Sequence, residues 1–152
     1  MLKYNYNKYK GKLSLSNLNS EINELKYLKK SINNLKRSYI VIKEDNQFKV
    51  NIKDIIDLLS KIYVAAFNDS KNTARIRNYG DIYLPVLINL VNKYNILKKE
   101  KVSSKEMTLF FERMNALSNT LKEHFKVKYN SMLNDEISSN DAEIKALLYS
   151  IK

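Results

Sequence analysis

Cysteine is absent from this 152-residue chain, glycine occurs twice, and proline and histidine occur once each. Without cysteine there is no disulfide, no thiolate metal ligand and no cysteine nucleophile. One histidine excludes a metal site built on several imidazoles, and a serine–histidine–aspartate triad would depend on that single side chain. So little glycine argues against all-β folds and against glycine-rich phosphate loops. These absences therefore exclude several classes of catalytic and metal-binding site.

The charge is strongly basic, with 27 lysines and arginines against 16 acidic residues and a net charge of +11. Such a balance is typical of proteins that bind nucleic acid or an anionic membrane surface. The abundance of Lys, Asn, Ile and Tyr, however, would also follow from the A/T-rich codons of an AT-rich genome. Only four of the basic residues are Arg, the preferred side chain for phosphate and base recognition. Nucleic-acid binding through residues 1–37 is therefore an alternative and not the first interpretation.

No segment is long and apolar enough to cross a bilayer. The longest apolar stretch, Ile82 to Val91, contains Pro85 and Asn89 and falls short of the roughly 20 residues required. The N-terminal MLKYNYNKYKGK is basic but lacks the apolar run of a signal peptide. We therefore expect a cytoplasmic protein without a transmembrane segment.

Two regions are expected along the chain. Lysines alternate with tyrosines over residues 1–17, which predicts a flexible basic and aromatic tail; contact with a phosphate backbone or a membrane surface is the alternative. Residues 18–152 are expected to form a single helical domain with enough apolar side chains for a core.

Apolar residues at intervals of three and four predict an all-α bundle of about five helices. The predicted helices cover residues 19–38, 51–67, 73–99, 103–133 and 140–151, the third being irregular from Gly80 to Pro85. Asn51 is the expected cap of the second helix, Ser103 and Glu106 form a capping box before the fourth, and Asn140 and Glu143 form one before the last.

The segment near residues 39–50 is predicted to form a short β-hairpin. Tyr39 to Ile42 is a run of aromatic and β-branched residues, the next four residues are polar, and residues 47–50 alternate. A helix that is broken near Asp45 is the alternative.

Candidate binding residues lie in two basic groups. Arg75 and Arg77 could bind a phosphate or a partner's carboxylate, although ion pairs to Asp69 or Asp81 would also account for them. Lys29, Lys30 and Arg37 lie mainly off the apolar stripe of the first helix, and a solvated face is the simplest interpretation of their charge.

No catalytic or metal-binding residue is assigned. His124 follows Glu123, but adjacent helical residues point about 100° apart, so a structural histidine is expected. Asp135, Glu136, Asp141 and Glu143 lack the spacing of a calcium loop, and the last two fit favourable charge at a helix N-terminus. We therefore expect neither a metal nor a cofactor.

Residues 74–97 read ARIRNYGDIYLPVLINLVNKYNIL. The Tyr83-Leu84-Pro85 core, with Arg upstream and Leu90 and Tyr94 downstream, resembles the 5-bromo-4-chloroindolyl phosphate hydrolysis protein family, the XpaC-like proteins. The likeness continues through a long helix, an acidic stretch and a Leu-rich end, so that it covers about residues 73–151. Tyr83 is kept as a candidate binding residue, although Tyr83 and Leu84 are both expected to pack inward, with Pro85 setting the start or kink of the next helix.

The resemblance implies an accessory or adaptor role, because family members are associated with TelA-like toxic-anion-resistance proteins and carry no defined catalytic motif. Members often have apolar membrane-anchoring segments at the N-terminus, and residues 1–50 contain none. We therefore expect a non-enzymatic helical interaction protein that acts with a partner protein in a stress or toxic-anion response. The oligomeric state is not predicted.

Two alternatives to that function remain open. A phosphatase acting on aryl phosphate esters would use Arg75 and Arg77 to hold phosphate and Asp81 as nucleophile or base. A basic nucleic-acid-binding or inhibitor module, of phage origin, would use residues 1–37.

Overall fold

Four α-helices account for most of residues 15–101 and 103–151, which are the residues that the computed structural model describes. They are α1 (Leu15–Val41), α2 (Gln47–Asn68), α3 (Leu84–Lys98) and α4 (Lys105–Ser150). A 3-10 helix (Ser70–Ile76) and a π-helical turn (Tyr79–Tyr83) connect α2 to α3. The all-α prediction is confirmed. Five helices is one too many, because the two segments expected at the C-terminal end form one continuous helix.

The predicted hairpin is wrong, and the described residues contain no strand. Residues 39–41 form the last turn of α1, and Ile42 directly after it is 2% exposed. Burial of Ile42 in helical register with Leu35 outweighs the extended preference of a short β-branched run, because such preferences are weak beside tertiary packing. The alternative of a helix broken near Asp45 is the correct one.

Two predicted caps are also displaced. Asn46, and not Asn51, caps α2, since its side-chain oxygen accepts a hydrogen bond from the Lys49 backbone N–H at 3.0 Å. α2 therefore starts about one turn early, and Asn51 lies inside it, fully buried. Ser104, and not Ser103, caps α4 by accepting from the Met107 backbone N–H at 3.1 Å.

The helices form a bundle around one hydrophobic core. α1 packs on α2 and α3, while α4 packs chiefly on α2. The core is built from aliphatic side chains of all four helices, among them Leu25, Leu28, Leu35, Ile52, Ile55, Leu59, Ile62, Val91 and Met114. Hydrogen bonds fix the position of α2 along α4. The buried Asn51 amide donates to Ser118 Oγ at 3.0 Å and to Asn119 Oδ1 at 2.7 Å. One helical turn further along, Lys122 pairs with Asp54 at 2.9 Å, so the two helices run in the same direction.

The segment of residues 69–83, called the joint below, is pressed against α1. The Ser31 hydroxyl donates to the Gly80 carbonyl, and the backbone N–H of Asn78, a residue with φ of 65°, donates to the Glu24 carboxylate at 3.1 Å. Leu84, just after the joint, is 2% exposed, as expected. Tyr83, which was also expected inside, is 59% exposed. α3 begins at Leu84 with Pro85 in its first turn, where a missing backbone donor costs nothing.

α4 extends well past the end of α2. Met132 is its last buried residue, and every residue from 133 to 151 is exposed. These residues, called the arm below, continue the helix through the position where a separate terminal helix was predicted. Within the described part of the chain, no helix is long and apolar enough to cross a membrane.

The predicted tail of residues 1–17 falls mostly outside the described residues. Residues 15–17 form the first turn of α1, and residues 1–14 are not described.

Candidate functional site

Arg75 ties the joint to α4 at the point where the arm begins. Its guanidinium pairs with the Asp135 carboxylate and donates to Ser131 Oγ at 3.3 Å. The expected partners Asp69 and Asp81 are not used: the Asp69 side chain accepts from the Lys71 backbone N–H, and Asp81 is exposed. The ion pair instead spans 60 residues of sequence, so Arg75 connects the joint to the part of α4 where the arm begins.

Arg77 and Tyr83 do not join Arg75 in one pocket. Arg77 is exposed and forms no hydrogen bond or ion pair with any described residue. The Tyr83 ring makes an edge contact with the Tyr79 ring, with centroids 6.4 Å apart. Both side chains are therefore available at the surface, whereas the Arg75 guanidinium is already occupied by Asp135.

The remaining predicted residues lie together on α1. Lys29, Lys30 and Arg37 line a shallow depression of about 380 Å³, together with Lys26, Asn33 and Asn34. The Arg37 guanidinium donates to Asn34 Oδ1 at 3.0 Å. None of the basic side chains of the depression pairs with an acidic residue in the described part of the chain. The lining comes from α1 alone and includes none of Arg75, Arg77 and Tyr83.

Two ionisable groups lie where α1 meets the joint, the partly buried Glu21 and the buried Tyr79. Burial raises the pKa of the Glu21 carboxyl above its usual 4.5, and the nearby Thr73 hydroxyl offsets part of that rise. Burial, with a smaller contribution from Tyr83, also raises the pKa of the Tyr79 hydroxyl above its usual 10.0. Glu21 Oε2, Thr73 Oγ1 and the Tyr79 hydroxyl lack a hydrogen-bond partner within the described residues. Both shifts favour the uncharged form of the side chain.

Exposed apolar side chains are concentrated on the arm. Six aliphatic side chains that are 36–71% exposed recur at helical spacing, and we call them the arm stripe: Leu133, Ile137, Ile144, Leu147, Leu148 and Ile151. At about 100° per residue they fall within one narrow sector of the helix surface. Nothing in the described part of the chain covers this sector.

A groove of about 730 Å³ lies at the root of the arm, between α4 and the end of α2. Val64 and Ala65 of α2 form one wall, and Met132 and Leu133 of α4 form the other. The Lys61 ammonium, on the α2 wall, lies 5.9 Å from the centroid of the Tyr129 ring on the α4 wall. Because Leu133 belongs both to the groove and to the arm stripe, the groove and the stripe are continuous.

Sequence reasoning placed the arm residues in a packed terminal helix and therefore missed this surface. A signal was present in the spacing. The buried positions of α4 include Met114, Phe125 and Met132, whereas the apolar series from Leu133 onward is displaced by one residue. One residue turns a helix by about 100°, so side chains beyond Met132 cannot continue the core-facing stripe.

Metal-binding groups are not assembled in the described residues. No group of three or more His, Asp or Glu side chains there is arranged to hold a metal ion. His124 is exposed, and its ring makes an edge contact with the Phe125 ring at 5.4 Å.

Comparison with known proteins gives one match. A family model described as 5-bromo-4-chloroindolyl phosphate hydrolysis protein matches residues 12–147. The match includes α1, α2 and residues 73–147 of the region that carried the resemblance, and it ends within the arm. No curated protein and no solved structure matches the chain.

Proposed function

The chain belongs to the 5-bromo-4-chloroindolyl phosphate hydrolysis protein family, and we propose that it acts there as a non-enzymatic interaction protein whose arm binds a partner protein. The observation that carries this proposal is the uncovered arm stripe. An isolated helix of this length is only marginally stable in water, and Ser138, Ser139 and Asn140 in its middle are poor helix formers. Contiguous exposed apolar surface on such an element marks an interface.

The partner class and setting follow from the family resemblance. A TelA-like toxic-anion-resistance protein of the same bacterium is the proposed partner, in a cytoplasmic stress or toxic-anion response. The apolar arm stripe and the mixed polar and apolar groove at its root offer such a partner one continuous surface.

Calorimetric titration of the purified chain with the TelA-like protein of the same genome tests this function. We expect saturable binding that is lost when Ile144→Asn and Leu148→Asn are combined. The matched control combines Ala142→Asn with Ala146→Asn, which lie on the opposite side of the same exposed helix. Absence of binding, or equal binding by both variants, would refute the assignment of the arm as the partner site.

The hydrolysis named in the family's description favours a phosphatase as a second candidate. Arg75 and Arg77 would hold the phosphate and Asp81 would act as nucleophile or base. Arg75 is engaged by Asp135, so phosphate binding would have to displace that carboxylate. An assay on an aryl phosphate, with and without Mg²⁺, decides the matter: turnover that is lost in Arg77→Ala and in Asp81→Asn would establish an enzyme.

The basic face of α1 favours a nucleic-acid-binding or inhibitor function as a further alternative. Lys29, Lys30 and Arg37 are exposed and lack acidic partners in the described part of residues 1–37. A gel shift at two salt concentrations tests it, because phosphate contacts impose a steep salt dependence. Lys29→Glu combined with Lys30→Glu should abolish such a shift.

A further inference from the structure

The arm stripe has the geometry of a helix-pairing seam. Leu133, Ile137, Ile144, Leu147 and Ile151 are separated by four, seven, three and four residues. These intervals match the alternating three and four of a coiled-coil seam, and they extend along about 27 Å of helix. A surface of this shape receives a second helix lying along the arm.

The charges beside the stripe are acidic. At about 100° per residue, Glu136 and Glu143 lie on one side of the stripe and Asp141 on the other. Lys145 is the one basic residue in residues 133–151, and its ammonium already pairs with Asp141 at 3.0 Å. The arm therefore has a net negative charge in a chain whose overall charge is +11.

These charges select among possible occupants. A second copy of the chain, whether parallel or antiparallel, would bring one acidic arm against another, and like charges beside a helix seam are unfavourable. A helix with lysine or arginine beside its apolar seam would instead pair with Glu136 and Glu143, whereas Asp141 is already paired with Lys145.

We infer that the arm binds an amphipathic helix of a partner protein whose apolar seam is flanked by basic residues, with one end of that helix in the groove beside Val64 and Leu133. The inference rests on the proposed function, since it names the kind of partner segment that the arm accepts. Asn140 lies on the seam between Ile137 and Ile144, so a polar residue at the matching level of the partner helix fixes the register.

Two synthetic helical peptides test the flanking charges. Both carry the same leucine and isoleucine seam; one has lysine and the other glutamate at every flanking position. Fluorescence anisotropy of each labelled peptide with the full chain gives the two dissociation constants. We expect the lysine peptide to bind at least about tenfold more tightly in about 0.05 M salt, with a smaller preference in about 0.5 M salt. The overall charge of +11 favours the glutamate peptide, so the expected preference isolates the arm.

Substitutions test separately how much the apolar stripe and its flanking charges contribute to peptide binding. Ile144→Asn combined with Leu148→Asn should weaken the lysine peptide by about tenfold or more without changing the melting temperature, because both side chains are exposed. Glu136→Lys combined with Glu143→Lys should reverse the peptide preference. Glu112→Lys combined with Glu123→Lys makes the same charge change on exposed positions of α4 outside the arm and should not.

Three results would overturn the inference: equal binding of both peptides, lysine-peptide binding that survives the stripe variant, or a dimer in sedimentation that the stripe variant dissociates. The last result would identify a second copy as the occupant. Failure of the charge inference is distinct from failure of the proposed function, because a TelA-like partner could still bind through the stripe with no response to Glu136→Lys and Glu143→Lys.

Discussion

Gly80 is the residue at which the smallest change should have a large effect. A Cβ atom built on it would lie 2.1 Å from the Tyr27 carbonyl carbon and 2.2 Å from the Leu28 backbone nitrogen. Both neighbours are backbone atoms of α1, so no side-chain rotation relieves the overlap. An ordinary contact begins near 3.4 Å, so in Gly80→Ala the joint and α1 must separate by about 1.3 Å.

The cost follows from what that separation disturbs. Ser31 would be drawn away from the Gly80 carbonyl, and the buried Leu28 would lose close contacts with the joint. Overpacking in a core costs about 1–3 kcal/mol, and a strained hydrogen bond adds about 1 kcal/mol. We therefore expect Gly80→Ala to lower the free energy of unfolding by about 3 kcal/mol, which for a domain of this size lowers the melting temperature by roughly 6–12 °C.

Circular dichroism at 222 nm during thermal and urea denaturation measures the effect. Asp81→Ala is the matched control, because Asp81 is the exposed next residue of the same π-helical turn. Its melting temperature should change by no more than about 2 °C. If Gly80→Ala melts within that margin of the wild type, the close approach of the joint to α1 is wrong.

Three further predictions concern the core and its buried polar groups. Leu84→Ala should cost about 2–5 kcal/mol in urea denaturation, because Leu84 is a core side chain, and an unchanged midpoint would place it outside the core. Because burial raises the pKa of Glu21 in the folded state, the stability that depends on its protonated form is lost as the pH rises from 4.5 through the raised pKa. Glu21→Gln should therefore have a larger free energy of unfolding than the wild type at neutral pH. Urea titrations measure this gain, which should shrink toward pH 4.5; a gain that stays constant over this range would contradict the reasoning. Asn51→Ala should cost about 1–3 kcal/mol by the same method, since Ser118 and Asn119 lose a buried donor; no loss would show that this contact does not hold α2 to α4.

The helical core could be predicted from the sequence because periodic burial is a local signal. Ile52, Ile55, Leu59 and Ile62 follow the 3.6-residue period, and all four are fully buried. The hairpin failed because Tyr39 to Ile42 was assessed by strand preference alone. Preference is a property of a few residues, whereas burial of Ile42 depends on helices that are distant in sequence.

Contacts across long sequence separations could not be predicted. Asn51 looks like a helix cap, yet its amide reaches Ser118 on a helix that begins more than fifty residues later. Arg75 likewise pairs with Asp135, where local reasoning offered Asp69 or Asp81. In both cases the partner is fixed by how helices are arranged in space, and residue type and spacing do not encode that arrangement.

Because α4 is continuous, the number of residues in it determines the direction in which the arm stripe faces. Each residue turns the helix by about 100° and raises it by about 1.5 Å, and α4 has no break between the core at Met114 and the end of the arm. The azimuth of the stripe is therefore set by the number of residues between Met132 and Ile137. One inserted residue there would leave the core unchanged and turn most of the stripe away from the groove, so that no straight helix could occupy both. The number of residues in this part of α4 therefore sets the direction from which a partner can bind the arm.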